Sequence, residues 1–302
     1  MSFPVNTGYT QYSGNFIPEI WSGKLQVKFY KTTVFSEIAN TDWEGEIKGQ
    51  GDKIHIRTIP TITINSYTKG QNLTNQVPTS TPIELLIDKG KYFAVVLDDV
   101  DAVQTDVKLM DTFTNDATQQ MKIAIDADVL NGVKASAATG NKGATAGVIS
   151  GNINLGVEGT PRAVTKDNVL DMFLDMGQVL DEQNVPEDGR WLVIPAWMAS
   201  MVKRSDLKQA YLTGDSVSPL RNGKLGMIDR FMVYVSNNLP SDNGDTHIMA
   251  GTRDAISFAS QMTNVETLRA QSTFGNIVRG LNVYGYQVVK PEALVNGIAI
   301  KG

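Results

Sequence analysis

From Lys53 onward, apolar and polar residues alternate with a period of two, and after Asp99 the period lengthens to that of a helix. Ile54 and Ile56, then Ile62 and Ile64, are each separated by one polar residue, which predicts a strand with one wet face. The chain then passes a polar, proline-bearing tip from Thr68 to Pro78 and returns along Ile83 to Ile87. Pro60, Pro78 and Pro82 cannot donate to a ladder, so they mark bends and strand ends and blunt unwanted edge pairing. A two-stranded arm that reaches away from its own core is marginal in water. It is therefore expected to lie on a neighbouring subunit, and a chain completed by copies of itself is an assembly protein.

The helical pattern follows at once. Val103, Val107, Met110, Thr114, Ala117, Met121 and Ala124 fall at steps of four and three, a single stripe sustained to about Leu130. That predicts a helix of about 30 residues, roughly 45 Å long. Asp98, Asp99 and Asp101 stand at its start, where acids cap free N–H groups and complement the helix dipole. The small-residue run Ala135 to Gly151 reads as a surface loop at a domain boundary. Beyond it, Thr165 is the expected N-cap of an amphipathic helix carrying Val169, Leu170, Phe173, Leu174, Met176, Val179 and Leu180, which stops at Asn184-Val185-Pro186. A turn then feeds the apolar strand Trp191 to Ile194 and a helix from Ala196 to Lys203, a layered unit of helix and strand. Phe231 to Val235 and His247 to Ala250 read as strands, Tyr211 to Leu225 as a loop, and Ala255 to Ile300 as mostly strand. The first forty residues, rich in Gly, Asn, Thr, Tyr and Pro, read as an extended arm ordered by what it lies across.

Composition narrows the class. A chain of 302 residues with 41% hydrophobic content can bury a sizeable core. With 27 Lys and Arg against 32 Asp and Glu, and no basic run, a dedicated nucleic-acid face is disfavoured. Cysteine is absent, which removes disulfides, thiolate metal sites and Cys nucleophiles. The start shows no basic segment followed by an apolar one, and no apolar run is long enough to span a bilayer, so neither a signal peptide nor a membrane association is expected.

Three stretches carry a resemblance: the turn Val185-Pro186-Glu187-Asp188-Gly189-Arg190 into Val193-Ile194-Pro195, the strand Val233 to Pro240, and the tail Phe274-Gly275 through Arg279 to Tyr286 and Val288 to Leu294. In this order they resemble major capsid proteins of tailed bacteriophages with the HK97-type fold. The resemblance implies an α+β fold in which residues 1–40 are an N-terminal arm and 41–98 the E-loop hairpin with P-domain strands. Residues 99–162 would be the P-domain spine helix and its following loop, 163–255 the A-domain, and 256–302 the strands that complete both domains. It implies a subunit of the pentamers and hexamers of an icosahedral shell around double-stranded DNA, assembled in the bacterial host cytoplasm. Lys69, Gly70, Asn72, Asn75 and Pro78 at the E-loop tip would meet a neighbouring subunit, and Ser218, Pro219, Arg221 and Asn222 would lie near the local axis. The expected partners are copies of itself, a separate scaffolding protein, a portal, a decoration protein and packaged DNA touched non-specifically. An encapsulin-type nanocompartment shares the fold; those shells usually begin with an amphipathic helix, whereas this chain begins with an extended Gly- and Asn-rich stretch.

Enzymatic chemistry finds little footing in the sequence. His247 with Asp242 and Asp245 misses metal-loop spacing and reads as a hydrated turn, and no cofactor is expected. Gly140-Asn141-Lys142-Gly143 and Gly223-Lys224-Leu225 lack the Ser or Thr that a phosphate loop needs after Gly-Lys. Asp98-Asp99 and Asp181-Glu182 sit at helix ends, where capping is the ordinary role. Some relatives of the fold join subunits by a Lys–Asn isopeptide bond. Lys69, Lys89 or Lys91 could donate and Asn296 accept, although salt bridging or solubility explains exposed lysines more simply. Trp191 and Trp197 are expected in the core.

Overall fold

The computed structural model describes residues 28, 30–43, 53–60, 62–99, 109–205, 226–242, 244–271 and 273–302. Its largest layer is a seven-stranded sheet. Strand β5 (Arg190–Ile194) pairs in parallel with β7 (Phe231–Val235) and antiparallel with β9 (Asp245–Thr252). β12 (Leu294–Lys301) runs between β9 and β4 (Arg162–Val164), while β6 (Met227–Ile228) and β8 (Ser241–Asp242) extend the edges. Phe231–Val235 and the strand containing His247 are therefore not paired with each other, because β5 lies between them.

Alternation along these strands decides what each face buries. Leu192 and Ile194 point into one core with Ile248, Ala250, Val295 and Ala299. Trp191 and Val193 point into another with Met249 and Leu294. The first core is closed by α3 (Val169–Glu182) and α4 (Ala196–Arg204), through Met172, Phe173, Met176, Val179, Met198 and Val202. Leu174, expected on the apolar stripe, is exposed; the buried side of α3 uses Met172 instead. Thr165 does not cap α3. Asn168 stands at the N-cap, and its carboxamide instead ties the preceding turn, accepting from Thr165 N at 2.7 Å and donating to Ala163 O at 3.0 Å. The helix ends where Asn184 takes a positive φ of 58°, a conformation Asn tolerates better than most residues.

The second core is closed by α2 (Leu109–Val133), the long helix. The part of the predicted helix before Leu109, with Val103 and Val107, lies outside the described residues. Within α2 the buried line is Ile125, Val129, Leu130 and Val133, and Ala124 is exposed. A step of four after Met121 keeps to the 3.6-residue turn, where the predicted step of three drifts off it. Asp99 is expected to cap a turn that lies outside the described residues. Its N–H donates to Phe274 O at 3.0 Å and its carboxylate pairs with Arg269.

α2 also carries two acids on its packed side. Asp126 is wholly buried, and its Oδ1 accepts from Val34 N (2.9 Å) and Phe35 N (2.8 Å) while its Oδ2 accepts from Asn238 Nδ2 (2.6 Å). It thereby caps the short helix α1 (Phe35–Ile38) and binds it to the turn after β7. Burial pushes its carboxyl upward, against the pull of these three donors. Two residues on, Asp128 accepts from Tyr284 through its carboxylate and from Tyr286 through its carbonyl, both at 2.9 Å. Gly132 leaves room for the Tyr286 ring, since a Cβ there would occupy the phenol. These tyrosines belong to β11 (Gly275–Val288), the centre strand between β10 (Ile256–Arg269) and β3 (Lys89–Asp98).

A third, smaller core of Ile56, Leu85, Ile87 and Ala259 holds the root of the arm against this three-stranded sheet. Gly285 of β11 lies so near the carbonyl of Leu86 that no side chain would fit, which fixes where the arm leaves the body.

Asp126→Ala would leave two helix-start N–H groups and Asn238 without their acceptor. We expect a loss of roughly 2–5 kcal/mol in denaturant unfolding, and an unchanged midpoint would disprove the anchoring role. Glu182 offers a pH test. Burial alone would raise its carboxyl, but the N–H groups of Ser150 and Ile149, the Ser150 hydroxyl and the Gln178 amide hold it at about 2 against the ordinary 4.5. A depressed acid stabilises above its unfolded value and loses that contribution as pH falls from 4.5 toward 2. Glu182→Gln should flatten the pH dependence of thermal stability in that window, read by calorimetry.

Candidate subunit interface

The arm begins as a regular ladder. β1 (Lys53–Ile56) and β2 (Ile83–Leu86) pair antiparallel, with Lys53 opposite Leu86 and Ile56 opposite Ile83. His55 stands opposite Glu84, whose Oε1 lies 3.5 Å from its Nδ1 and 3.6 Å from Lys53 Nζ.

Beyond Ile56 the predicted ladder stops, although the register does not. Thr58 Oγ1 donates to Thr81 O at 2.8 Å, and Ser80 Oγ donates back to Thr58 O. Farther out, Thr63 N donates to Gln76 Oε1 at 3.1 Å and Gln76 Nε2 donates to Thr63 O at 2.7 Å. The limbs close at a turn where Gln71 N donates to Thr68 O at 3.0 Å and Gly70 has φ of 88°. A positive φ at the third residue is the signature of a type II turn, and glycine adopts it without strain. Among the described residues, the facing pairs Lys53–Leu86, Thr58–Thr81, Thr63–Gln76 and Thr68–Gln71 all keep one hairpin register, joined by backbone at the root and at the turn and by side chains between them.

The predicted tip residues divide accordingly. Lys69 and Gly70 form the turn itself, while Asn72, Asn75 and Pro78 belong to the returning limb; all five are exposed. No acid occurs between Lys53 and Glu84, so salt bridging within the arm is closed to Lys69. Ser218, Pro219, Arg221 and Asn222 lie outside the described residues.

Among the described residues, apolar side chains along the arm are left uncovered: Ile59 is 95% exposed, Ile64 89%, Val77 87% and Leu73 77%. The body has a second bare surface. In β3 every other residue faces outward, with Tyr92 80% and Val96 55% exposed. Register places Leu281 opposite Tyr92, and Ile277 opposite both Val96 and Leu268, so these residues form one outward stripe across the sheet. Periodicity gave no hint of Gln76, because the period of a strand says nothing about a side chain that serves as a rung. The stripe was visible only as an apolar run in which neither face could be told from the other.

Other candidates fall into structural places. His247 is buried on β9 with its Nδ1 3.2–3.3 Å from the Asn296 carboxamide, and burial, reinforced by the Lys134 charge, pulls its pKa down. Asp242 Oδ2 lies 3.9 Å from its Nε2, and no three His, Cys, Asp or Glu groups converge on a metal-sized site among the described residues. Asn296 is itself buried within the sheet, whereas Lys69 is at the arm's turn and Lys89 lies 4.9 Å from the centre of the Tyr286 ring. Asp181 bridges the buried Arg190 at 2.7 Å and Arg230 at 2.9 Å, as part of a structural ion network. Trp191 is buried and Trp197 packs at the edge of the first core. No helix among the described residues is long and apolar enough to cross a membrane.

With arm, long helix and two-core body in place, known proteins can be compared. The family model described as phage capsid protein matches residues 82–297. A structure from Mycobacterium phage Che8 superposes with a TM-score of 0.79 at 28% identity, covering 94% of this chain and 97% of that one. The capsid structure of Cyanophage P-SCSP1u follows at 0.74 and 15% identity, covering 95% and 94%. The capsid of the native GTA particle gives 0.67 at 13% identity, covering 96% and 97%; at such identities the likeness is one of fold. A comparison with curated proteins returns no match. The family match spans most of the chain and includes the body on which the arm is mounted, and on that basis the chain belongs to the phage capsid protein family, as a shell-forming structural subunit.

Proposed function

We propose that this subunit builds the pentamers and hexamers of an icosahedral shell around a double-stranded DNA genome, with its arm laid on an adjacent copy as an E-loop. The observation that carries this reading is the row of uncovered apolar side chains at Ile59, Ile64, Leu73 and Val77. Apolar area is stabilising only once removed from water, at about 25 cal/mol per Å², and large exposed apolar patches mark interaction sites. The arm's own body leaves these residues bare, so a second chain is the natural cover. The outward stripe of Tyr92, Val96 and Leu281 offers a surface of matching chemistry on each copy.

In this reading residues 1–40 form the N-arm, 41–98 the E-loop and first P-domain strands, 99–162 the spine and its loop, and 163–255 the A-domain. Residues 256–302 complete both domains. Lys69 and Gly70 contact the neighbour at the turn, and Ser218, Pro219, Arg221 and Asn222 sit near the local axis. A separate scaffolding protein, a portal and a decoration protein complete the particle, which forms in the host cytoplasm and holds DNA without sequence preference. The net charge of −5 supports such loose contact, since tight phosphate binding needs clustered cations.

Negative-stain electron microscopy of the purified chain, alone and with a scaffolding protein, should show closed shells. A second form of the chain, with residues 58–81 replaced by a short Gly-Ser turn, should keep its thermal unfolding transition and sediment as free subunits. Shells formed equally well without the arm would refute the reading.

A further inference from the structure

We propose that the Gln76 side chain is a positioning group that fixes the register of the arm before any neighbour covers it. This inference rests on the shell reading only in its consequence for assembly; the geometry stands in the single chain.

In a regular antiparallel pair, opposite residues exchange two backbone hydrogen bonds. Among the described residues from Arg57 to Pro82, the only backbone–backbone hydrogen bond joining the limbs is the one that closes the turn. Pro60, Pro78 and Pro82 remove three of the N–H groups that a ladder would use. Gln76 supplies the exchange from its side chain. Its Oε1 accepts from Thr63 N at 3.1 Å and its Nε2 donates to Thr63 O at 2.7 Å. One carboxamide thus satisfies both main-chain groups of one residue, as a partner strand would, while spanning a wider gap.

Only glutamine combines these properties. Asparagine is one methylene shorter, glutamate has no donor for Thr63 O when ionised, and methionine matches the length without either polar group. Thr58 with Ser80 and Thr81 makes a second side-chain rung nearer the root, and Gln71 Oε1 accepts from Thr68 N and Thr68 Oγ1 at the turn. Three polar ties spaced along the limbs hold one register. Because a one-residue slip would change which side chains face the partner, the ties determine that Ile64, Leu73 and Val77 are presented together. Ordering the arm in advance removes that entropic cost from the docking step.

The test compares the full chain with Gln76→Met, and with Ile64→Ser as a contact variant. Below the concentration at which shells form, amide hydrogen exchange is followed at Thr63. The wild type should protect this amide, and Gln76→Met should exchange roughly five- to tenfold faster there, as expected for one lost hydrogen bond. Ile64→Ser should leave Thr63 protection unchanged. Above that concentration, light scattering should show slower shell growth for both variants, with unchanged thermal unfolding of the body. Equal Thr63 exchange in wild type and Gln76→Met overturns the proposal, as does wild-type assembly kinetics in a Gln76→Met chain whose Thr63 exchanges fast. If the wild type forms no shells but Thr63 still responds to Gln76→Met, the register function is upheld and the shell reading is what fails.

Discussion

One sheet with two buried faces governs this subunit. Because Leu192 and Ile194 pack one way while Trp191 and Val193 pack the other, β5 belongs to two cores at once. Strands buried on both sides read as continuous apolar runs; β5 does so from Trp191 to Ile194, whereas β9 buries Thr246, His247 and Thr252 beside its short run Ile248 to Ala250. The helices α3 and α4 cover one face, and α2 with the inner ends of β10 and β11 covers the other. No boundary in water separates these parts, so the long helix is held by the same strands that hold the rest of the body.

The arm obeys a different economy. Its root is fixed by a small core and by the glycine that admits Leu86, but its outer half has polar ties and no core. Hydrogen bonds between exposed groups contribute little net stability against water, so the ties hold the arm's register without adding to the stability of the body. Specification without burial is what a docking element requires. The body's stability and the arm's readiness then draw on separate sets of residues, and one set can vary without disturbing the other.

Much of this was legible in the chain and some was not, for physical reasons. Ile54/Ile56 and the return at Ile83 to Ile87 announced the root, since period-two alternation survives wherever one face is wet. The outer limbs kept the alternation but lost the ladder, because prolines do not change hydrophobic periodicity even as they remove donors. The long helix was recognisable from its stripe, yet its buried line runs through Ile125 and past Asp126, and a charged residue reads as surface until its donors are seen. Leu174 and Thr165 were local expectations overridden by neighbours that packed or bonded better. The placement of β12 between β4 and β9 could not be read locally at all, because no short-range pattern encodes which distant strand becomes a neighbour. The axis loop fell outside the described residues.

That placement of β12 also has a consequence in time. The pairs β1–β2 and β10–β11 join segments close in sequence, whereas β12 must bring Ala299 beside Arg162 and Val295 beside Ala250. Loop-closure entropy delays contacts of long sequence separation. The local hairpins therefore have the head start, and the central sheet closes after them. The mount of the arm is no more local than the central sheet, since β3 and β11 join residues farther apart in sequence than β4 and β12 do, so both parts of the body rest on contacts that form only once distant segments of the chain have met.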